Sequence, residues 1–319
     1  MAPNFNSRQT PASDKPSDTS SDAPSRAASD DTTEFMLLDE TRAQFDRKLP
    51  PPPPIQVAGL SDRGKVRAAN EDHFFVARRR RETTVISTNL KAEEYANTLD
   101  DVYVLAVADG LGGHSHGELA SAMTLRAGGA RSGASWLIDV AESGLVGITK
   151  RFEAGARAIH ELILSHSRRD PQTRGMASTL TAALINGYDV YVGHIGDSRA
   201  YLMHDGVLEQ LTQDHTLAQD LARAGFGGVP SPRQRHVLTN CLGGDEGHVR
   251  VDSREFRWGR GDTLMLCSDG LSDRMTDAEL TDALRSRATC EEICQRLFQL
   301  AMDQGGRDNI TVVVARLGD

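Results

Sequence analysis

Residues Ser178 to Thr212 read STLTAALINGYDVYVGHIGDSRAYLMHDGVLEQLT. Short β-rich segments fill this stretch, with Asn186-Gly187 between the first two and Asp205-Gly206 between the last two. Both dipeptides are strong signals for tight hairpin turns, because they accept the positive φ such turns require. Strands joined this way pair antiparallel, since a parallel pair needs a crossover of roughly a dozen residues. The sheet is therefore expected to be largely antiparallel.

Outward from this core, helical spacing takes over. Phe152, Ala156, Ile159 and Ile163 share one face of a helix, and Leu217, Leu221 and Ala224 share a face of another. Thr276 with Glu279, and Thr289 with Glu292, have the spacing of capping boxes, which predicts two further helix starts. Hairpins with helices set between groups of strands indicate an α+β layered domain. No internal repeat is visible.

The chain has 319 residues, a formal charge of -9 and a pI near 5.6. That is ample apolar sequence for a large core. The acidic balance argues against nucleic acid as a partner. No apolar run approaches the roughly 20 residues that span a bilayer, and no signal peptide is evident. The four cysteines, Cys241, Cys267, Cys290 and Cys294, lack the CxxC pairs of a zinc site. A reduced, cytoplasmic setting is expected.

Residues 1–54 are rich in Ser, Asp, Thr and Pro and end in a polyproline run, so they are expected to form a disordered tail and stiff hinge. The domain proper is expected over 55–319. Residues 78–101 open with four arginines and read as a long inserted loop, available to acidic partners but more plainly a solvated connection. Residues from about 220 to 236, punctuated by Gly and Pro, read as a mobile flap.

Acids recur at the ends of apolar runs. Asp109 follows VLAVA, Asp269 follows TLMLCS, Asp308 precedes NITVVV, and Asp197 precedes SRAYL. Glu71 and Asp72 stand just before HFFV. Singly, an Asp-Gly is most often a turn. Collected at a sheet margin, carboxylates repel one another unless a cation intervenes, and an all-oxygen set suits Mg²⁺ or Mn²⁺. Two such ions about 3.5 to 4 Å apart would activate water and clamp a phosphoryl group. Arg67, four residues before Glu71, is the candidate phosphate anchor, because a guanidinium grips phosphate in a bidentate fork.

In order, the segments DRGKVRAANED, VLAVADGLGGHSHGELAS, MASTLTAALI, GHIGDSRAYL, LTQDHTLAQ, VLTNCLGG, GDTLMLCSDGLSD and GGRDNITVVV resemble the metal-dependent type 2C family of serine/threonine protein phosphatases, in its bacterial form. The resemblance implies two antiparallel sheets packed as a sandwich flanked by helices, a four-layer α-β-β-α arrangement. It implies two Mn²⁺ or Mg²⁺ ions, with Asp109 bridging them, the Gly110 carbonyl on one, and Asp269 and Asp308 on the other. Glu71 and Asp72 would act largely through water, Arg67 would hold the substrate phosphate, Asn309 would brace Asp308, and Asp197 would join Asp269 at a third ion. The implied reaction is in-line attack of a metal-bridging hydroxide on phosphoserine or phosphothreonine. The implied partners are phosphorylated proteins, including a cognate kinase and its substrates, met by a monomer.

Two departures stand out. Leu111 occupies the position where eukaryotic members carry a histidine after Asp-Gly, which leaves the proton donor open between His114 and metal-bound water. Ala177 stands for a usual glycine, which is expected to be benign. A haloacid-dehalogenase-type phosphatase would need a second Asp two residues after the first, and VADGL and CSDGL lack it. A response-regulator receiver would need a parallel sheet. The alternative in a different class is an inactive relative that binds phosphoproteins or kinases as a scaffold; its usual mark, loss of metal ligands, is absent.

Overall fold

The computed structural model describes residues 54–83, 86, 98–111, 116–127, 140–226, 229, 231–244 and 247–318. The chain divides into two units, Met1–Pro50 and Pro51–Asp319, and every element below belongs to the second. Residues 1–53 of the expected tail, 84–85 and 87–97 of the expected insertion, 227, 228 and 230 of the expected flap, and His114 lie outside the described residues.

One five-stranded sheet has the order β1-β13-β12-β8-β9, formed by β1 (Ile55–Asp62), β8 (Arg199–His204), β9 (Val207–Gln210), β12 (Thr263–Cys267) and β13 (Ile310–Leu317). The other, β11-β7-β6-β3-β2, is built from β2 (His73–Thr83), β3 (Thr98–Ala108), β6 (Leu180–Asn186), β7 (Asp189–Ile195) and β11 (Asp252–Arg257). All their pairings are antiparallel. A small third sheet joins β4 (Gly110–Leu111), β5 (Ala177–Ser178) and β10 (Leu242–Gly243). Among the described residues the α-helices are α1 (His116–Leu125), α2 (Val140–Arg169), α3 (Leu217–Arg223), α4 (Pro232–Arg235), α5 (Asp269–Ser272), α6 (Asp277–Leu284) and α7 (Cys290–Asp303).

Alternation along the strands explains the layering. In β3, Leu105 and Val107 enter the core between the sheets, while Val104, Ala106 and Ala108 pack against α1 and α2. In β13, Val313, Ala315 and Leu317 face the other sheet, and Ile310, Val312 and Val314 face α6 and α7. Each central strand thus buries both faces, which is why these runs read as unbroken apolar sequence rather than as alternating polar and apolar residues. The architecture is the four-layer α-β-β-α sandwich.

Local signals hold in detail, with corrections. His204 pairs with Val207, leaving Asp205 (φ 47°) and Gly206 (φ 78°) as a two-residue turn of the type that demands positive φ at both positions. In the earlier hairpin Asn186 is itself paired with Asp189, so the loop is Gly187-Tyr188 and only Gly187 has positive φ, at 59°. Both capping boxes form, at Thr276/Glu279 and Thr289/Glu292. Phe152, Ala156, Ile159 and Ile163 are buried, as expected of α2. The α3 face is not a core face: Leu217 and Leu221 are half-buried and Ala224 is exposed, because this short helix packs on α4 rather than on a sheet.

Residues 78–83 and 98–101 are not loop. Arg78 pairs with Tyr103, Arg80 with Asp101 and Thr83 with Thr98, so the two ends of the expected insertion lengthen a hairpin. Asp101 draws in the guanidinium groups of Arg78 and Arg80 as ion pairs, which also holds its carboxyl below the usual range. Part of the arginine run is therefore neutralised by its own partner strand.

Candidate metal centre

The antiparallel register brings five acids to one end of both sheets. His73 pairs with Ala108, which sets Asp72 beside Asp109 at that margin. Cys267 pairs with both Arg199 and Val312, which places Asp197, Asp269 and Asp308 at the same end of the partner sheet. A strand end is a rigid mount for a polar group, since the backbone ladder fixes its direction. The sequence-predicted acids therefore converge, from both layers, at one margin of the sandwich.

Three of these acids are braced by hydrogen bonds. Asp109 N donates to Thr179 Oγ1 at 2.9 Å, and Thr179 N donates back to the Asp109 carbonyl at 2.9 Å. Ser268 Oγ donates to Asp72 Oδ2 at 2.7 Å. Asn309 does more than was expected of it: its Oδ1 accepts from Glu71 N at 2.8 Å while its Nδ2 donates to the carbonyls of Arg63 and Ala69. Its backbone N donates to Asp308 Oδ1 at 2.9 Å. Asn309 thus ties the loop carrying Arg67 and Glu71 to the acid just before β13. Arg67 Nη2 lies 2.7 Å from Asp308 Oδ2, with half of its side chain exposed.

Gly110 explains itself by contact. A Cβ there would come within 2.0 Å of the Gly117 carbonyl and 2.8 Å of the Glu71 carbonyl. Three backbone segments meet at this glycine, and α1 can approach only because Gly117 is equally bare.

The electrostatics are those of a cation site. Burial, and then its carboxylate neighbours, push the Asp72 carboxyl up to about 7. Asp109 and Asp197 are driven well above the usual carboxylate range, first by desolvation and then by the surrounding aspartates. Asp72 Oδ1 is buried with no hydrogen-bond partner. An orphaned buried carboxylate oxygen among repelling acids is costly unless a cation is present. The oxygen-only donor set fits a hard divalent ion.

Two residues of this margin carried no sequence prediction. His236 Nδ1, following α4, lies 3.8 Å from both Asp269 Oδ2 and Asp273 Oδ2, and Asp269 with Asp273 holds its imidazole above the ordinary value. The three could share one ion. Asp273 is legible after the fact, because it lies one helical turn beyond Asp269. His236 is 33 positions from Asp269, and only the fold joins them. His236 and Asp273 line a cavity of about 250 Å³ together with Asp197, Arg199, Asp214 and Asp269.

Comparison with known proteins points to one family. The family model for protein phosphatase 2C matches residues 86–313. The serine/threonine protein phosphatase PstP of Mycobacterium tuberculosis is 36% identical over 268 residues, 83% of this chain. This chain spans 45% of that relative's length. The serine/threonine phosphatase stp of Listeria monocytogenes is 32% identical over 258 residues, covering 80% of this chain and 92% of the relative. Among solved structures, the PstP catalytic domain in complex with two manganese ions is 35% identical with a TM-score of 0.62, covering 83% of this chain and 99% of that one. A serine/threonine phosphatase of S. agalactiae gives a TM-score of 0.69 at 28% identity, covering 83% and 100%. The chain belongs to the protein phosphatase 2C family.

Proposed function

We propose that this chain is a metal-dependent protein serine/threonine phosphatase of bacterial type. The observation that carries the reading is the convergence of Asp72, Asp109, Asp197, Asp269 and Asp308 at one sheet margin, with Asp72 Oδ1 buried and unpartnered. The relatives named phosphatases, and the manganese bound by one of them, support it.

In this reading Asp109, Asp269, Asp308 and the Gly110 carbonyl hold two Mn²⁺ or Mg²⁺ ions, Glu71 and Asp72 serve them through water, and Asp197 with Asp269 holds a third. When bound, such ions activate a water nucleophile at neutral pH and neutralise phosphoryl charge. The chain's own residues do the positioning. Arg67, at the rim and half exposed, grips the phosphate oxygens and orients the ester for in-line displacement. Asn309 keeps Arg67 in register with Asp308. The proton for the leaving serine or threonine oxygen comes in this reading from metal-bound water or from His114, which lies outside the described residues.

Phosphorylated proteins are the proposed substrates, with a serine/threonine kinase and its targets among them, and a cytoplasmic monomer as the working form. The buried thiols of Cys267, Cys290 and Cys294 suit a reducing compartment. Among the described residues no helix is long and apolar enough to cross a membrane. The catalytic domain is assigned to 55–319, with the tail over 1–54 and the flap near 220–236.

The test is hydrolysis of p-nitrophenyl phosphate and of a phosphothreonine peptide by the full chain, with Mn²⁺ or Mg²⁺ and with EDTA. Metal-dependent turnover of both is expected. Folded protein with no turnover in either metal, yet binding phosphopeptide, would establish the scaffold instead.

A further inference from the structure

The strands that end at the acids have another end. β1, β8, β12 and β13 run from the metal-centre margin to a cavity of about 710 Å³ on the far side of their sheet. Its lining includes Gln56 of β1, Met203 of β8 and Leu317 of β13, together with Asp262 just before β12. From Asp308 to Gly318 the chain is nearly fully extended, so the two margins stand about 30 Å apart at roughly 3.3 Å per residue.

Among the described residues four arginines line this cavity: Arg260 and Arg316 from the sheet side, Arg285 and Arg287 from the turn between α6 and α7. Arg316 is committed to structure. Its Nη2 and Nη1 donate to the carbonyls of Leu284 and Ala288, at 2.9 and 2.7 Å, closing the end of α6. The guanidinium groups of Arg260, Arg285 and Arg287 are exposed and make no hydrogen bond or ion pair among the described residues. The acids of the lining do not cancel them. Asp262 is buried and already accepts from Gly259 N at 2.7 Å and pairs with His204 Nδ1 at 2.8 Å. Asp205 stands on the outer side of the same histidine, 3.5 Å from its Nε2.

In a chain of charge -9, such a gathering of unpaired cations in a concave site is a local inversion of the surface potential. Guanidinium groups recognise phosphate through paired N–H donors, and a phosphomonoester near neutral pH carries close to two charges for them to meet. Among the described residues no aromatic side chain lines the cavity, so none of them is placed to stack a nucleobase. We propose that this cavity is a docking site for a phosphorylated peptide segment, remote from the scissile phosphate, that retains multiply phosphorylated protein substrates. The identity of the ligand rests on the phosphatase reading; the site itself does not.

The experiment uses the full-length chain in EDTA, where hydrolysis is absent, and a fluorescein-labelled peptide carrying two phosphoserines. Anisotropy is expected to report saturable binding that weakens about tenfold in the triple variant Arg260→Gln/Arg285→Gln/Arg287→Gln, as three exposed charge pairs would give. The unphosphorylated peptide should bind several-fold more weakly to the parent. With metal restored, the variant should turn over p-nitrophenyl phosphate as the parent does, which also reports its folding. It should show a raised KM, at unchanged kcat, for a peptide whose second phosphate lies about fifteen residues from the scissile one. If the triple variant misfolds, Arg287→Gln alone is compared by the same binding curve. Peptide binding unchanged in the variants, or equal for phosphorylated and unphosphorylated peptide, overturns the site. Charge-dependent binding only to phosphatidylserine vesicles overturns it as well. A parent inactive on p-nitrophenyl phosphate in either metal overturns the phosphatase reading instead and leaves the binding result standing.

Discussion

Ser268 Oγ donates to Asp72 Oδ2 across 2.7 Å and accepts from Thr311 N at 3.0 Å. This one hydroxyl links the end of β12, the start of β13 and the acid that precedes β2. Both sheets therefore meet at the acidic margin through a hydrogen-bond chain, and not through packing alone. Ser268→Ala would leave the Asp72 carboxyl and the Thr311 N–H short of a partner in a buried setting. We expect a loss of about 1–3 kcal/mol in urea unfolding. An unchanged midpoint would show that water replaces the serine at no cost.

The acids should oppose stability when no metal is present. Asp109 is held well above the usual carboxylate range, chiefly by desolvation and then by Asp72, so its charged form is disfavoured in the folded state. Asp109→Asn removes that charge while keeping the shape. In EDTA at neutral pH, calorimetry is expected to show the variant melting above the parent. Added Mn²⁺ should raise the parent's melting temperature more than the variant's, and metal-dependent turnover should fall at least about a hundredfold. Stability and activity thus move in opposite directions, as at other sites built for charge. A variant less stable than the parent in EDTA would contradict the electrostatic argument.

Acid should destabilise the domain through His194. Its imidazole is buried, desolvation and the nearby His215 ring push it down to about 3, and its Nδ1 is in hydrogen-bond contact with Thr181 Oγ1 at 2.9 Å. A histidine whose folded value lies below its unfolded value, near 6.5, binds its proton more readily when unfolded. The stability it permits is complete above about pH 6.5 and drains away as pH falls toward 3. His194→Gln, which cannot titrate, should flatten that limb of the stability curve between pH 6.5 and 4. Parallel curves for variant and parent would place the acid sensitivity elsewhere.

How much of this was readable beforehand depends on distance along the chain. Asp205-Gly206 and the Thr276 and Thr289 capping boxes are decided by neighbours, and each formed as its local chemistry dictates. Asp109 and Asp269 were legible because an apolar run ending on an acid is a local anomaly, whereas their meeting needed the register of two sheets. The Arg78–Arg81 run misled as a loop, since charged residues on an edge strand look solvated whether or not they are paired. His236 had no signal, because what gives it meaning is a pair of carboxylates brought in by a helix far along the chain.

Two glycines, Gly110 at the acidic margin and Gly155 inside α2, allow an opposed pair of tests of backbone packing. At Gly110 an added Cβ would press on the backbone carbonyls of Gly117 and Glu71, at 2.0 and 2.8 Å, and backbone cannot swing aside. Relief requires β4 to separate from α1, which would carry the adjacent Asp109 with it. At Gly155, inside α2, an added Cβ meets nothing within 4 Å, so alanine there gains helix propensity without a clash. Gly110→Ala is expected to lose about 1–3 kcal/mol and most metal-dependent activity. Gly155→Ala should gain about 0.5–1 kcal/mol and keep full turnover. Chemical denaturation beside a p-nitrophenyl phosphate assay reads both, and the two substitutions shifting in the same direction would refute the claim that close backbone approach sets the position of Asp109.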